Sequence, residues 1–147
     1  MFDFLDCSFH GCDLAAMRFC RAALQRAAFH SCRGVGLYLT DAMLRNVRFE
    51  DCQLSYANFG LSKLTRVEMA CCDLSHASFG YAALKDVRWE GCRLSGAELF
   101  GVSLRGMDLR TDDIDGIVLG DKTELQGAIV SPLQAVPLAA LLGVVIE

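Results

Sequence analysis

The residues that could do chemistry in this 147-residue chain are eight cysteines, three histidines and a group of acids near the C-terminal end. Most of the cysteines recur at intervals of twenty residues: Cys12, Cys32, Cys52, Cys72 and Cys92. An even number of cysteines can indicate a disulfide framework, but that pattern is typical of short secreted chains. The regular spacing instead favours small, buried, reduced side chains.

Neither metal binding nor catalysis is favoured by these residues. His10, His30 and His76 form no ligand spacing with the cysteines. Cys20 and Cys71 have no histidine spaced to activate them as nucleophiles. The chain also lacks a phosphate-binding glycine loop. We therefore predict no metal, no cofactor and no enzymatic activity.

The overall charge argues against direct binding of nucleic acid, and the N-terminal residues favour the cytoplasm. The net charge is -4 and the pI is about 5.3, whereas binding to phosphates needs a basic surface. Residues 1–6 are acidic and have neither the basic nor the apolar region of a signal peptide. We therefore expect a cytoplasmic protein with reduced thiols.

An internal repeat dominates the sequence. The segment CQLSYANFG at residue 52 returns as CDLSHASFG at residue 72 and as CRLSGAELF at residue 92. Within this twenty-residue repeat there is a shorter one: from Phe4 to Leu119 every fifth residue is large and apolar, except Gly34. A period of five fits neither a helix nor a strand, so each unit must contain a turn. Repetition of this kind predicts a solenoid whose coils bury their apolar sides against each other.

The positions of the charges support this register. If two positions of every five point inward, the charged residues should occupy the other three. Of the 29 charged residues between Phe2 and Asp121, Asp112 alone falls on an inward position. We expect the coil to loosen at Asp112, or its side chain to find an unusual partner. At Gly34 we favour a local kink with Val35 turned inward over a bulge that reshapes the surface.

The C-terminal segment departs from the repeat. The five-residue count slips by one after Leu119, so residues 1–121 are predicted to form the repeat domain and residues 122–147 a cap. Ser131 and Gln134 form a capping box, and Gly143 favours the helix end. Pro137 should kink or divide the helix, and residues 144–146 should form a short strand. Residues 128–146 carry no charge, but the prolines and polar residues favour a dimerising cap over a membrane span.

Residues 2–121 resemble the pentapeptide-repeat family, in which a small residue precedes a polar residue and then Leu or Phe in each unit of five. The resemblance implies an all-β fold: a right-handed quadrilateral parallel β-helix of about six coils, with a short C-terminal helix and strand. Four units of five residues would make one coil, which agrees with the twenty-residue echo.

The C-terminal end resembles that of quinolone-resistance (Qnr-type) pentapeptide-repeat proteins, through residues 125–129 (LQGAI) and 142–145 (LGVV). This resemblance implies a tail-to-tail homodimer that mimics DNA and binds DNA gyrase and topoisomerase IV. Two differences matter: no loops interrupt residues 4–119, and the chain has fewer coils than most members. Six coils at about 4.8 Å give a rod of about 29 Å, and a dimer would be about twice as long.

Residues of two kinds are candidates for partner contacts. Acids gather after Met107, where a tail-to-tail dimer would bring them together as an anionic surface for a DNA-gripping protein. The predicted acidic partner-binding surface consists of Asp108, Asp113, Asp115, Asp121 and Glu124. The predicted dimer interface consists of Leu138, Leu141, Leu142, Val144 and Val145.

Two functions remain open at this point. The first is a dimeric DNA mimic that protects DNA gyrase or topoisomerase IV from quinolones or natural toxins. The second is a non-catalytic scaffold or adaptor rod with an unrelated protein partner, which the short length and absent loops favour.

Overall fold

The computed structural model describes residues 2–147; Met1, the first residue of the predicted repeat domain, lies outside them. The chain winds into a parallel β-solenoid that ends in a short α-helix. The strands are β1 (Asp3–Leu5), β2 (Ser8–His10), β3 (Ala23–His30), β4 (Met43–Glu50), β5 (Lys63–Ala70), β6 (Ala83–Lys85) and β7 (Arg88–Glu90). A 3-10 helix (Lys122–Leu125) and helix α1 (Pro132–Leu141) follow.

Neighbouring strands pair in parallel at an offset of twenty residues. Leu24 pairs with Leu44, and Leu44 with Leu64, on one side of the coil. Phe29 and Phe49 pair in the same way on the next side. Two further columns of single bridges run through Arg33 and through Tyr38. Four columns in each twenty-residue coil make the section a square, which confirms the predicted parallel quadrilateral solenoid.

We number the sides of the square from the second coil, counting with each side the turn that follows it. Side 1 holds residues 22–26, side 2 residues 27–31, side 3 residues 32–36 and side 4 residues 37–41, together with their equivalents at intervals of twenty. Sides 1 and 2 carry the strands, and sides 3 and 4 carry the single bridges.

The regular ladder is shorter than the predicted six coils. From Asp3 to Ala83 the strands make four steps of twenty residues, which is about four full turns. Sides 3 and 4 continue one level further, to Asp113 and Val118. No strand is assigned after Glu90 within residues 2–147. The ladder ends because the last coil bonds to the irregular cap, where Leu104 N–H donates to the carbonyl of Glu124.

Two side chains of every five form the core. Leu44 and Phe59 are fully buried, and the smaller residues two positions earlier, Ala42 and Ala57, are buried with them. Five of the eight cysteines occupy one of these columns: Cys12, Cys32, Cys52, Cys72 and Cys92. All eight are free. The Cys52 thiol donates to the Phe29 carbonyl at 3.3 Å, and the same contact recurs along the column. Burial raises the pKa of Cys32, so this thiol behaves as a small apolar side chain.

Almost every corner of the coil has one residue in the left-handed region. Arg26, Tyr56 and Leu61 have φ of 51°, 61° and 59°, where non-glycine residues are uncommon. None of the non-glycine residues in this series is β-branched. Thr111 is the β-branched residue at this position of the repeat, and it is not among the residues with positive φ. The corner at Thr111 therefore departs from the repeat, although the bridges continue past it to Asp113 and Val118.

Gly34 causes neither the expected kink nor a bulge. Its N–H still donates to Gln53 in the next coil, so the register is kept, and Val35 is half-buried rather than turned into the core. The missing volume is supplied by Leu37, which is buried where the later coils have Ala57 and its equivalents. A Cβ added at Gly34 would lie 2.9 Å from Cδ2 of Leu54. A large residue and a small one have thus exchanged places.

The cap begins with the predicted slip of one residue: Asp108 pairs with Ile129, twenty-one positions later. Helix α1 has the predicted capping box, in which Ser131 N–H donates to Gln134 Oε1 at 2.8 Å. The helix continues through Pro137 and is not divided. Pro137 removes the donor for the carbonyl of Leu133, and Leu133 is an exposed residue.

The end of α1 follows the predicted glycine stop, but the strand expected at residues 144–146 is not formed. Gly143 has φ of 81°, and the N–H groups of Gly143 and Val144 bond back to Ala140 and Ala139 in a Schellman arrangement. The last residues find no neighbouring strand within the chain, which leaves them irregular. No helix in residues 2–147 is long and apolar enough to cross a membrane.

Candidate partner-binding surface

Asp108 is exposed, but its charge is matched locally. Its carboxylate accepts hydrogen bonds from Nε and Nη2 of Arg110 at 2.9 and 2.8 Å, and also from the Arg110 backbone N–H. The bonds from Arg110 lower the pKa of Asp108 to about 2. Asp108 is therefore ionised throughout the neutral range, but it presents an ion pair rather than a free negative charge.

Asp113 and Asp115 are the free acids of the surface. They lie on side 3 of the last coil and are both exposed. Asp113 Oδ1 accepts the Asp115 N–H at 3.1 Å, which fixes the turn between them. Among the residues that the structure describes, neither carboxylate forms an ion pair. Their charges project from the same turn.

The remaining two predicted surface acids have different environments. Asp121 is exposed and caps the 3-10 helix by accepting the Thr123 N–H. Glu124 is buried, which corrects its assignment to the acidic surface. Its carboxylate accepts the N–H groups of Gly120, Asp121 and Gly101 at 2.8, 2.9 and 3.2 Å. Glu124 thus holds the start of the cap against the fifth coil, since a buried carboxylate needs such partners.

Asp112 is the charged residue that the five-residue repeat places at an inward position. Its side chain has an unusual partner, as one of the two predicted alternatives. It is 6% exposed, and its Oδ1 accepts the backbone N–H of Cys92 at 2.8 Å. Its Oδ2 has no hydrogen-bond partner. Burial raises the pKa of Asp112 to about 7, against the bond from Cys92 and with the help of the negative Asp108 and Glu90. Asp112 therefore titrates near neutral pH.

Helix α1 docks on the last coil through the polar side chain of Gln134 and the buried side chain of Leu138. Gln134 Nε2 donates to the carbonyls of Leu109 and Asp112 at 2.7 and 2.9 Å. Beside this contact is a groove of about 440 Å³ between the coil and the helix. Asp113 and Asp115 line one wall of the groove, and Leu133 and Leu141 line the other. The free acids and the apolar helix are therefore adjacent.

The residues predicted to form a dimer interface divide into two groups. Leu138 is buried against the core and anchors α1 to the solenoid, so it is not exposed for a partner. Leu141, Leu142, Val144 and Val145 are exposed, Val145 by 81%. The exposed apolar surface extends to residues that the sequence analysis did not select: Ile129, Leu133, Val136 and Ile146.

Sequence reasoning missed two further features. The first is the docking role of Gln134, although its capping-box position marked it as a residue with a structural task. The second is an uncharged aromatic surface with Tyr56, Leu61 and Tyr81 exposed by 64%, 62% and 67%. Sorting the outward residues of side 4 into columns would have revealed it.

Comparison with known families gives two matches. The family described as "Pentapeptide repeat region" matches residues 2–79, and "Pentapeptide repeats (8 copies)" matches residues 77–111. No curated protein matches the chain.

Several solved structures are similar. A pentapeptide repeat protein from the thylakoid lumen of Arabidopsis thaliana is 25% identical, with a TM-score of 0.51 over 71% of this chain and 69% of that one. A trypsin-treated variant of QnrB1, a plasmid-mediated fluoroquinolone resistance protein, is 16% identical with a TM-score of 0.40, covering 99% of this chain and 91% of that one. HetL of Nostoc sp., involved in heterocyst differentiation regulation, is 15% identical with a TM-score of 0.30, over 87% and 86% of the two chains. The similarity to the first structure supports the fold. The TM-scores of the other two are too low to support any conclusion.

Proposed function

Because this chain belongs to the pentapeptide-repeat proteins, we propose that it is a cytoplasmic, non-catalytic DNA mimic that binds DNA gyrase or topoisomerase IV. It protects the enzyme from quinolones or natural topoisomerase toxins, and it acts as a homodimer joined through the C-terminal segment. The proposal follows the resemblance of its C-terminal end to Qnr-type proteins.

One observation carries the proposal: unpaired acids and an exposed apolar tail lie at the same end of the rod. Asp113 and Asp115 border the groove whose other wall is α1. Pairing two apolar tails would bring both copies of these acids to the middle of the assembly. A surface that grips DNA presents positive charge, and a row of unpaired carboxylates complements it.

The test is a supercoiling assay with purified gyrase, with and without a quinolone. The protein should restore supercoiling in the presence of the drug or inhibit it in the drug's absence. Asp113→Lys with Asp115→Lys should weaken either effect by about tenfold or more, because two charges are reversed in each copy. The matched control is Asp51→Lys with Asp86→Lys, which changes the net charge equally on sides 2 and 1. Absence of both effects at micromolar protein would contradict the proposal.

A second function is favoured by a specific observation. The turns of residues 4–110 are short at every corner, and no loop projects from the coils in this part of the structure. Such a smooth rod suits a scaffold or adaptor that binds an unrelated protein along its sides. A pull-down with purified gyrase and topoisomerase IV subunits separates the two functions, since a scaffold with another partner would retain none of them.

A further inference from the structure

Side 4 of the solenoid carries no charge in the third and fourth coils. Residues 55–61 and 75–81 contain no Asp, Glu, Lys or Arg. Along its whole length side 4 has two arginines against three acids, a net charge of -1, whereas sides 1, 2 and 3 carry +3, -2 and -3. The three tyrosines of the chain all lie on side 4 or at its edge: Tyr38, Tyr56 and Tyr81.

The uncharged region has the shape of a shallow trough between two ridges. One ridge is Tyr56 stacked on His76, with ring centroids 5.0 Å apart and planes 15° apart. The other ridge is formed by Leu61 and Tyr81, which are more than half exposed. The floor between them consists of half-buried and buried small residues: Asn58, Gly60, Ser78 and Gly80.

The aromatic rings of the second ridge are held in place. The Phe100 ring lies against Gly80, where an added Cβ would be 2.5 Å from the ring, and it meets Tyr81 edge to face at 5.9 Å. Tyr81 in turn covers Gly101. Rings seated on bare backbone lose little conformational entropy when they are covered, and such preorganised aromatics are typical anchors of protein interfaces.

We propose that this trough, defined by Tyr56, Leu61, His76 and Tyr81, binds the same trough of a second copy, side by side. A two-fold contact brings identical surfaces together, so it requires a surface that does not repel itself. Within the third and fourth coils, sides 1, 2 and 3 carry net charges of +3, -2 and -1 and would each oppose like charges, whereas the trough opposes none. In the proposed contact a ridge of one copy lies between the ridges of the other. This contact goes beyond the proposed function and does not depend on it.

The contact is weak because the trough is small. Two coils stack over about 10 Å, and the patch falls short of the roughly 800 Å² per partner that a stable interface needs. We therefore expect a dissociation constant above about 10 µM. A side-by-side pair is wider than one rod but equally long, which distinguishes it from a tail-to-tail pair.

The experiment is sedimentation of the full-length chain from about 5 to 500 µM, with Val145→Asp introduced throughout to remove contacts of the apolar tail. This parent should rise in mean mass toward a dimer as concentration increases. Tyr56→Asn with Tyr81→Asn should remain monomeric. Asp51→Asn with Cys71→Asn is the matched control, because it places Asn at the same left-handed corner positions on side 2, which Asn tolerates. The control should associate like the parent.

Small-angle scattering and circular dichroism complete the test. The associated parent should gain cross-section without gaining length, and far-ultraviolet spectra should show that every variant remains folded. Should the double tyrosine variant unfold, Leu61→Lys places a charge in the trough at an exposed corner and should also remain monomeric. A parent that stays monomeric to the highest concentration overturns the proposal. So does a trough variant that associates as the parent does, or a particle that grows in length.

Discussion

At the scale of single residues, Asp112 is the least expected feature of the chain. Its carboxyl is buried, one oxygen bonds to the Cys92 N–H, and the other oxygen has no partner. The facing charges, Asp108 and Glu90, are both negative, so nothing compensates an ionised Asp112. The protonated form is consequently the one that suits the site.

The pH dependence of stability should reveal this. The folded pKa of Asp112 is raised to about 7 from the usual 3.8 of an aspartate, so the folded state binds a proton more tightly than the unfolded state. Its contribution is complete below about pH 4 and is lost as pH rises to about 7. Asp112→Asn should abolish this fall, leaving the variant about 2 kcal/mol more stable at pH 8 relative to pH 5 than wild type. That is roughly half of the full value for such a shift, because more than about a third of the loss already occurs below pH 5 and because nearby solvent relieves part of the penalty.

Urea unfolding at several pH values measures the effect. Asp113→Asn is the control, because it makes the same substitution at the exposed neighbouring residue. If the free energy of unfolding changes equally with pH for wild type and Asp112→Asn between pH 5 and pH 8, Asp112 does not cause the pH dependence.

Gly34 and Leu37 form a second residue-scale feature, in which the core keeps its volume by exchanging sizes. Leu37→Ala should cost about 2–4 kcal/mol through a cavity, and Gly34→Leu should cost about 1–3 kcal/mol through overpacking. Together the two substitutions restore the arrangement of the later coils. The double variant should therefore be more stable, by at least about 1 kcal/mol, than the sum of the two single destabilisations predicts. A double-mutant cycle by chemical denaturation measures this coupling. Strict additivity would mean that the two positions do not share the space.

At the scale of elements, α1 is held by Gln134 as much as by its apolar side. Gln134→Ala removes a capping bond and two bonds to the last coil, which together contribute about 1–3 kcal/mol. Hydrogen exchange should therefore speed up in residues 132–141 and stay unchanged in β3, β4 and β5. The exposed Gln53→Ala should alter neither region. A uniform change over the whole chain would contradict a local docking role.

The repeat elements could be predicted from the sequence, whereas their end could not. Leu24, Leu44 and Leu64 recur every twenty residues and pair with one another in successive coils. The period of the sequence therefore predicts the fold. Glu124 and Leu138 lie outside the repeat, so no equivalent residue in another coil predicts where their side chains lie. Both had been assigned to the surface by residue type, and both are buried because the cap folds back onto the last coil. That contact depends on the shape of the exposed end, which no local pattern encodes.

At the scale of the whole molecule, the exposed apolar tail is the feature that most needs a partner. Val144 and Val145 are 52% and 81% exposed and lie beside exposed Leu141 and Leu142. Contiguous apolar surface of this kind marks an interaction site. The tail-to-tail dimer within the proposed function would cover it.

A charge in the tail tests this dimer. Val145→Asp should weaken it by about 2 kcal/mol or more, which is about thirtyfold in the dissociation constant. Sedimentation at low micromolar concentration should show a dimer for wild type and a monomer for the variant. Ser103→Asp, an exposed position on side 1, should leave the dimer intact. A wild-type monomer at this concentration would remove the tail-to-tail arrangement.

Because the cross-section is a square, the number of a residue in the coils shows on which side of the solenoid it lies. Because each side with its turn takes five residues and each coil twenty, removal of residues 63–82 would shorten the rod by one coil and leave every later residue on its own side. Removal of five residues would instead rotate everything that follows by a quarter turn. Asp113 and Asp115 on the last coil, and the cap after them, would then face a different direction from the tyrosines of the earlier coils. In this fold, the length of the rod and the orientation of its C-terminal end can be changed independently, through the number of residues removed.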